Sequence, residues 1–325
     1  MRALLLDMPN EVRIADLPVP QCLDGEVLIK VLGVGVCGSD LSVFKGHRQV
    51  PSYPWQMGHE AVGEIVGLGH GVNDREVGER VVIEPNYCCF TCEECLSGNT
   101  SGCLNRVIIG MAAPGVIAEY ISVPSAFAWK VPSFLSVKEM ICLEPLTVGA
   151  AALRRSGAKD GDKTLVIGAG SSGLSLISLL LSKGFSTYFI ETKPGRSALA
   201  ARIGALIHET GARYDQVFEC SGTADGAHQA ISLAADGATI TLVGLSASPI
   251  EVVPSDLVRR RLTIVGSMIY DHPADFREML DHIPESISEI VGAKFTLDDA
   301  QMAFEGASEV PGKSWISLDD KGAHS

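Results

Sequence analysis

The chain of 325 residues has little that would suit it to a membrane or a polyanion. Its most apolar stretch, 174–181, is eight residues long and holds two serines, whereas a bilayer span needs roughly 20 apolar residues. The apolar run at the N-terminus breaks at Asp7, short of the ~7–15 residues of a signal-peptide core, which predicts a cytoplasmic chain. Basic residues are the minority: 26 Lys and Arg against 39 Asp and Glu give a net charge of −13. Neither a nucleic acid nor an anionic membrane surface is therefore an expected partner, since both need basic patches. Aromatic residues are sparse at 6%, yet apolar residues reach 46%, which supplies a full core and excludes disorder. No internal repeat or low-complexity linker is present, and the length allows one large domain or two ordinary ones.

Cysteine, by contrast, is plentiful. There are nine, five of them between positions 88 and 103. An odd number without a signal peptide fits a disulfide framework poorly, so the cluster needs a local explanation. Cys89, Cys92, Cys95 and Cys103 read C-x2-C-x2-C-x7-C. Four thiolates on one short lobe, about 86–104, suit a closed tetrahedral zinc site. The first half also matches the start of a bacterial ferredoxin run, but that run continues x3-C-P, and here seven residues intervene. Cys88 is a spare thiol beside the set.

The pattern of the chain changes near residue 145. Before it, short β-rich runs such as EVRIADL, EVLIKVLGVGV and ERVVIEP alternate with Gly and Pro, as in an all-β module with functional loops. After residue 160, strand patterns (KTLVI, STYFI, DQVFEC, ATITLVG) alternate with helical ones, which implies a doubly wound parallel sheet. Residues 273–283 and 297–307 read as helices and KSWISL as a closing strand. The resulting α/β architecture places a parallel-sheet domain, 146–270, between the two parts, 1–145 and 271–325, of a β-rich one.

Gly168, Gly170 and Gly173 form G-x-G-x-x-G between the strand KTLVI and the following helix. In a dinucleotide fold the first glycine makes the tight turn, the second admits the pyrophosphate, and the third lets helix and strand pack closely. Glu191 ends the next strand, 18 positions after Gly173, where the fingerprint expects an acid about 20 residues on. A carboxylate there accepts a hydrogen bond from the ribose 2′-hydroxyl of NAD and repels the 2′-phosphate of NADP. Lys193 and Arg196 follow and soften that repulsion, so NAD is the expected cofactor and NADP the less expected one.

Cys37 lies in VCGSD, and His59 and Glu60 lie in GHEAVG. Combined with the cysteine lobe and the glycine turn, these segments resemble the zinc-dependent medium-chain dehydrogenase/reductase family. The resemblance runs from VLGVGVCGSD and GHEAVGEIVGLG through the lobe, LEPLTVGAA and VIGAGSSGL to PGKSWISL. It is greatest to the sorbitol, threonine and sugar-alcohol dehydrogenase branch. It implies a GroES-like catalytic domain, a Rossmann domain and two zinc ions per chain. Cys89, Cys92, Cys95 and Cys103 would hold a structural zinc. Cys37 and His59 would hold a catalytic zinc that Glu60 binds directly or through water, with Glu144 as a fourth or alternating ligand, Asp40 behind His59, and Ser39 passing the proton outward. Cofactor contacts would come from Gly168, Gly170, Ser172, Gly173, Glu191, Arg196 and Gly244. The substrate would be a secondary alcohol, polyol or sugar derivative. The alternatives are an NADP-preferring reductase and a non-catalytic relative.

Three departures qualify the resemblance. Ser42 and Phe44 stand where many relatives carry a relay histidine, and His47 lies further on. In SMIYDH, Tyr270 remains but Ile269 replaces the arginine of the Arg-Tyr pair that contacts the polyol in sorbitol dehydrogenases. Only the short stretch 207–215 separates GAL from QVFEC, so one crossover helix should be missing. The apolar strand near 262–265 would leave a sheet edge, which suits a homodimer or homotetramer.

Overall fold

The computed structural model describes residues 1–319. The chain divides into two compact units: Met1–Glu144 with the described residues from Val291 on, and Pro145–Ile290. The second boundary therefore lies about 20 residues beyond the expected position at 271. Side-chain contacts explain the difference. Arg154, on the helix Leu143–Ser156, binds Asp275 at 2.7 Å and Asp271 at 2.6 Å, and the hydroxyls of Ser178 and Ser286 lie 2.6 Å apart. The helix Ala274–Asp281 thus packs with the second unit.

The first unit is built on a seven-stranded sheet centred on Glu26–Gly35. That strand pairs antiparallel with Glu60–Leu68, with Tyr120–Pro124 and with the closing strand Lys313–Ser317. Its first half alternates buried and half-buried residues; from Val31 to Gly35 every residue is buried. Two glycines in that stretch make the crowding possible. A Cβ on Gly33 would meet the Trp315 ring at 3.0 Å, and one on Gly35 would stand 2.3 Å from Glu60 Oε2. The pairing of Gly35 with both Glu60 and Trp315 brings the HE motif and the closing strand to one end of the sheet.

The second unit holds a six-stranded, all-parallel sheet. Its spatial order is Leu206–Ile207, Ser186–Ile190, Lys163–Ile167, Tyr214–Glu219, Ala234–Leu242, Thr263–Gly266. This is the 3-2-1-4-5-6 order of a dinucleotide-binding sheet. No helix lies between Ile207 and Tyr214, as the short spacing predicts. The connection must cross three strand spacings, ~14 Å at about 4.8 Å each, and return to the sheet's starting edge. The six intervening residues reach about 20 Å at most, so the strand before them can only be short, and Leu206–Ile207 is two residues long. Tyr188 and Tyr214 belong to the buried core of this unit. Tyr188 and Tyr214 pack with ring centroids 5.3 Å apart, Lys163 Nζ sits 4.4 Å over the Tyr188 ring, and His208 Nδ1 lies 2.8 Å from the Tyr214 hydroxyl.

Candidate active site

The glycine turn has the geometry its residues predict. Gly168 has φ +91°, and a Cβ there would lie 2.8 Å from the Ser221 backbone. Gly170 is the N-cap of the helix Ser171–Ser182, whose first turn contains Ser172. A Cβ on Gly173 would meet the Gly168 carbonyl oxygen at 1.9 Å. Glu191 reaches this turn: Oε2 accepts from the Ala169 amide at 2.8 Å and Oε1 from the Lys193 amide at 2.8 Å. Arg196 lies nearby, with a guanidinium nitrogen 3.7 Å from the ideal Cβ position of Gly170. Gly244 donates its amide to the Glu219 carbonyl at 2.9 Å and passes too close to Gly222 to carry a Cβ. Glu219, which the sequence reading did not single out, is buried, and its carboxylate accepts from the Ser221 and Gly222 amides at 2.7 and 3.0 Å.

In the first unit, Cys89, Cys92, Cys95 and Cys103 converge with all four sulfurs within 4.8 Å of one another. The Cys89–Cys95, Cys92–Cys95 and Cys92–Cys103 separations are 4.0, 3.5 and 3.9 Å. A tetrahedron with Zn–S bonds of about 2.3 Å has edges of about 3.8 Å, so the four thiols fit a zinc ion. Hydrogen bonds from the Thr91 side chain, from nearby backbone amides and from Asn105 pull Cys89 down to about 5, whereas burial and the neighbouring Cys92 and Cys103 push Cys95 up. Cys88 is buried beside them and does not join.

A second set, Cys37, His59 and Glu60, also places its ligand atoms within 4.8 Å of one another. Cys37 precedes the helix Gly38–Phe44, and His59 and Glu60 enter the strand Glu60–Leu68. Asp40 positions two of the three ligands. Its Oδ1 lies 2.8 Å from His59 Nδ1, and its Oδ2 accepts from the Cys37 amide at 3.1 Å. With Nδ1 engaged, Nε2 is left to face the other donors. Burial works against a charged His59, but the Asp40 carboxylate and Cys37 outweigh it and hold its pKa well above the usual range. Thiolate, imidazole and carboxylate together make a donor set that suits zinc with a coordination position open. Ser39 Oγ lies 3.4 Å from His59 Nε2.

Other expected residues fall outside this set. Glu144 is buried in the first turn of the helix Leu143–Ser156 and does not converge with the three donors. Tyr270 is 2% exposed and packs edge-on against Phe276 with centroids 5.0 Å apart, so it has no surface left for a polyol. Phe44 is core and stacks on Phe304, while His47 is exposed. One residue was overlooked: Lys313, buried on the closing strand, forms an ion pair with Glu60. Burial opposes its charge, and Glu60, Cys37 and Glu144 override that and raise its pKa above the ordinary lysine range. The signal was a lysine opening the otherwise uncharged run KSWIS.

Residues 23–133 match the alcohol dehydrogenase GroES-like domain, and residues 173–285 match the zinc-binding dehydrogenase domain. Galactitol 1-phosphate 5-dehydrogenase of Escherichia coli K12 is 31% identical over 295 residues, covering 84% of this chain and 85% of the relative. The chain belongs to the zinc-type medium-chain dehydrogenase family. Within that family, sorbitol dehydrogenase of Bacillus subtilis 168 is 29% identical over 330 residues, spanning 94% of this chain and 93% of that one. The rspB alcohol dehydrogenase of Escherichia coli CFT073, solved with NADH, superposes with a TM-score of 0.90 at 25% identity, covering 98% of this chain and 99% of that one. The chain is thus similar to alcohol and polyol dehydrogenases across both of its units. Among the described residues no helix is long and apolar enough to cross a membrane.

Proposed function

We propose that this protein is a zinc- and NAD-dependent dehydrogenase of a secondary alcohol, polyol or sugar derivative. The observation that carries the reading is the convergence of Cys37, His59 and Glu60, with Asp40 orienting His59, apart from the closed four-cysteine set. A zinc ion held by Cys37, His59 and Glu60 supplies a Lewis acid for the substrate oxygen, and the nicotinamide supplies the redox partner. The chain's own residues do the rest. Asp40 fixes the imidazole so that Nε2 faces the site. Ser39, beside that nitrogen, offers a hydroxyl through which the substrate proton leaves. Cys89, Cys92, Cys95 and Cys103 fill all four positions of a second zinc, which leaves it a structural role. Glu144, which lies outside the converged set, would have to move to serve as an exchangeable carboxylate ligand.

Gly168, Gly170, Ser172, Gly173 and Gly244 frame the cofactor's pyrophosphate, and Glu191 meets the adenosine ribose. Reduction of NAD and NADP by a panel of alcohols, polyols and sugar phosphates tests the whole reading. The wild type is expected to prefer NAD. Glu191→Ala, which leaves Arg196 in place, is expected to move the kcat/KM ratio toward NADP by about tenfold or more, the scale of one lost charge-assisted hydrogen bond. A wild type that prefers NADP contradicts the assignment of Glu191.

The strand Thr263–Gly266 forms an edge of the six-stranded sheet, and Ile264 on it is 37% exposed. We propose that two copies pair along this edge across a two-fold axis, giving a homodimer or a homotetramer. Light scattering at working concentration is expected to show at least twice the 34.4 kDa chain mass; a monomer alone refutes the pairing.

A further inference from the structure

The catalytic set leaves one buried charge without a task. Lys313 opens the closing strand Lys313–Ser317 and is 1% exposed. Its ammonium contacts Glu60 Oε2 and makes no hydrogen bond to another group among the described residues. Glu60 Oε1 lies 4.0 Å from His59 Nε2. One oxygen of this carboxylate therefore faces the metal-binding side chains while the other faces the ammonium. The strand is cut away to allow the contact: a Cβ on Gly35 would stand 2.3 Å from Glu60 Oε2 and 2.7 Å from Lys313 Cε. An ammonium at this depth is costly unless paired, and a neutral residue would fill the strand without that cost. The pair therefore calls for a functional explanation.

Building on the function proposed above, we infer that Lys313 is a positioning residue that tethers Glu60 by one oxygen and keeps its carboxylate from closing the metal's last coordination position. The tether divides the charge of Glu60 between a fixed ammonium and the ion. Without Lys313, the Glu60 carboxylate loses the ammonium that holds Oε2 and turns fully onto the metal. The site then binds zinc more tightly and exchanges ligands more slowly. A lysine that only filled space would predict the opposite, because its loss would loosen the site.

Chelator competition on protein depleted of its catalytic zinc reads this directly, alongside turnover. Lys313→Met is expected to bind zinc about 10–100-fold more tightly, the scale on which partners of metal ligands act, and to turn over more slowly with KM little changed. Lys313→Arg, which keeps the charge, is expected to stay within about threefold of wild-type affinity, as a preserved interaction should. In a Glu60→Gln background the gain from Lys313→Met should shrink to about threefold or less, because the carboxylate it restrains is gone. Unchanged or weaker zinc binding in Lys313→Met overturns the tether, and so does an equal gain in both backgrounds. If Lys313→Met does not fold, Glu60→Gln and the double variant, which lack the buried pair's carboxylate, decide the matter: a clear tightening between them overturns the inference, and equality supports it. A wild type that takes up no zinc at Cys37 and His59 sinks the proposed function as well; one that takes it up regardless of Lys313 sinks the tether alone.

Discussion

Cys37→Ser is expected to yield a folded protein that still binds NADH but oxidises alcohols at least about 10³-fold more slowly, since Lewis-acid stabilisation contributes several kcal/mol. A serine hydroxyl is a poor zinc ligand, and Cys37 is the one thiol in its set. Zinc content should fall from two ions per chain to one. Binding of NADH should persist because the glycine turn and Glu191 belong to the second unit, while Cys37 belongs to the first. NADH fluorescence titration, zinc analysis and single-turnover reduction of NAD check the three parts separately. A fully active Cys37→Ser enzyme would remove the catalytic assignment.

Cys95→Ser should fail differently. The lobe around it has a very small apolar core: Cys88, Cys103 and Phe127 are buried together, while Leu96 and Leu104 are 76% and 86% exposed. With so little surface buried, the proposed zinc would hold the lobe together, since structural zinc sites contribute folding energy outright. Loss of about 4 kcal/mol or more is expected, seen as a melting temperature lower by roughly 10 °C. Activity should decline only as folded protein is lost. If Cys95→Ser stays stable but inactive, the two zinc roles have been exchanged.

The parts of the site legible in the sequence are those whose chemistry is local. Gly173 abuts the Gly168 carbonyl five residues back, and Gly168 takes a positive φ, while a Cβ on Gly170 would meet only Arg196 at 3.7 Å. The four cysteines lie within a segment short enough for spacing to imply geometry. Cys37, His59 and Glu60 are legible only in company, since each alone reads as a core or loop residue. Lys313 was missed because its partner is more than 250 positions away, and a lone lysine in a strand ordinarily points to solvent. The place where the chain returns to the first unit is hard to read in the sequence for the same reason. Amphipathic periodicity identifies the helix Ala274–Asp281 but not the unit it packs with; that depends on Arg154, far back along the chain. Tyr270 matched its relatives by position, while its neighbour Phe276 decides that it is core.

The taut connection between Ile207 and Tyr214 has a consequence for how this chain tolerates change in length. Deleting even two of its six residues would leave too little reach to cross the sheet, so further shortening should unravel the outermost strand. Lengthening is a different matter, because doubling a loop costs only about 0.6 kcal/mol in closure entropy. The segment is therefore an asymmetric site for insertion: closed to trimming, open to a grafted peptide, an affinity tag or a small reporter domain. Such a graft would start near His208, whose ring packs on the buried Tyr214.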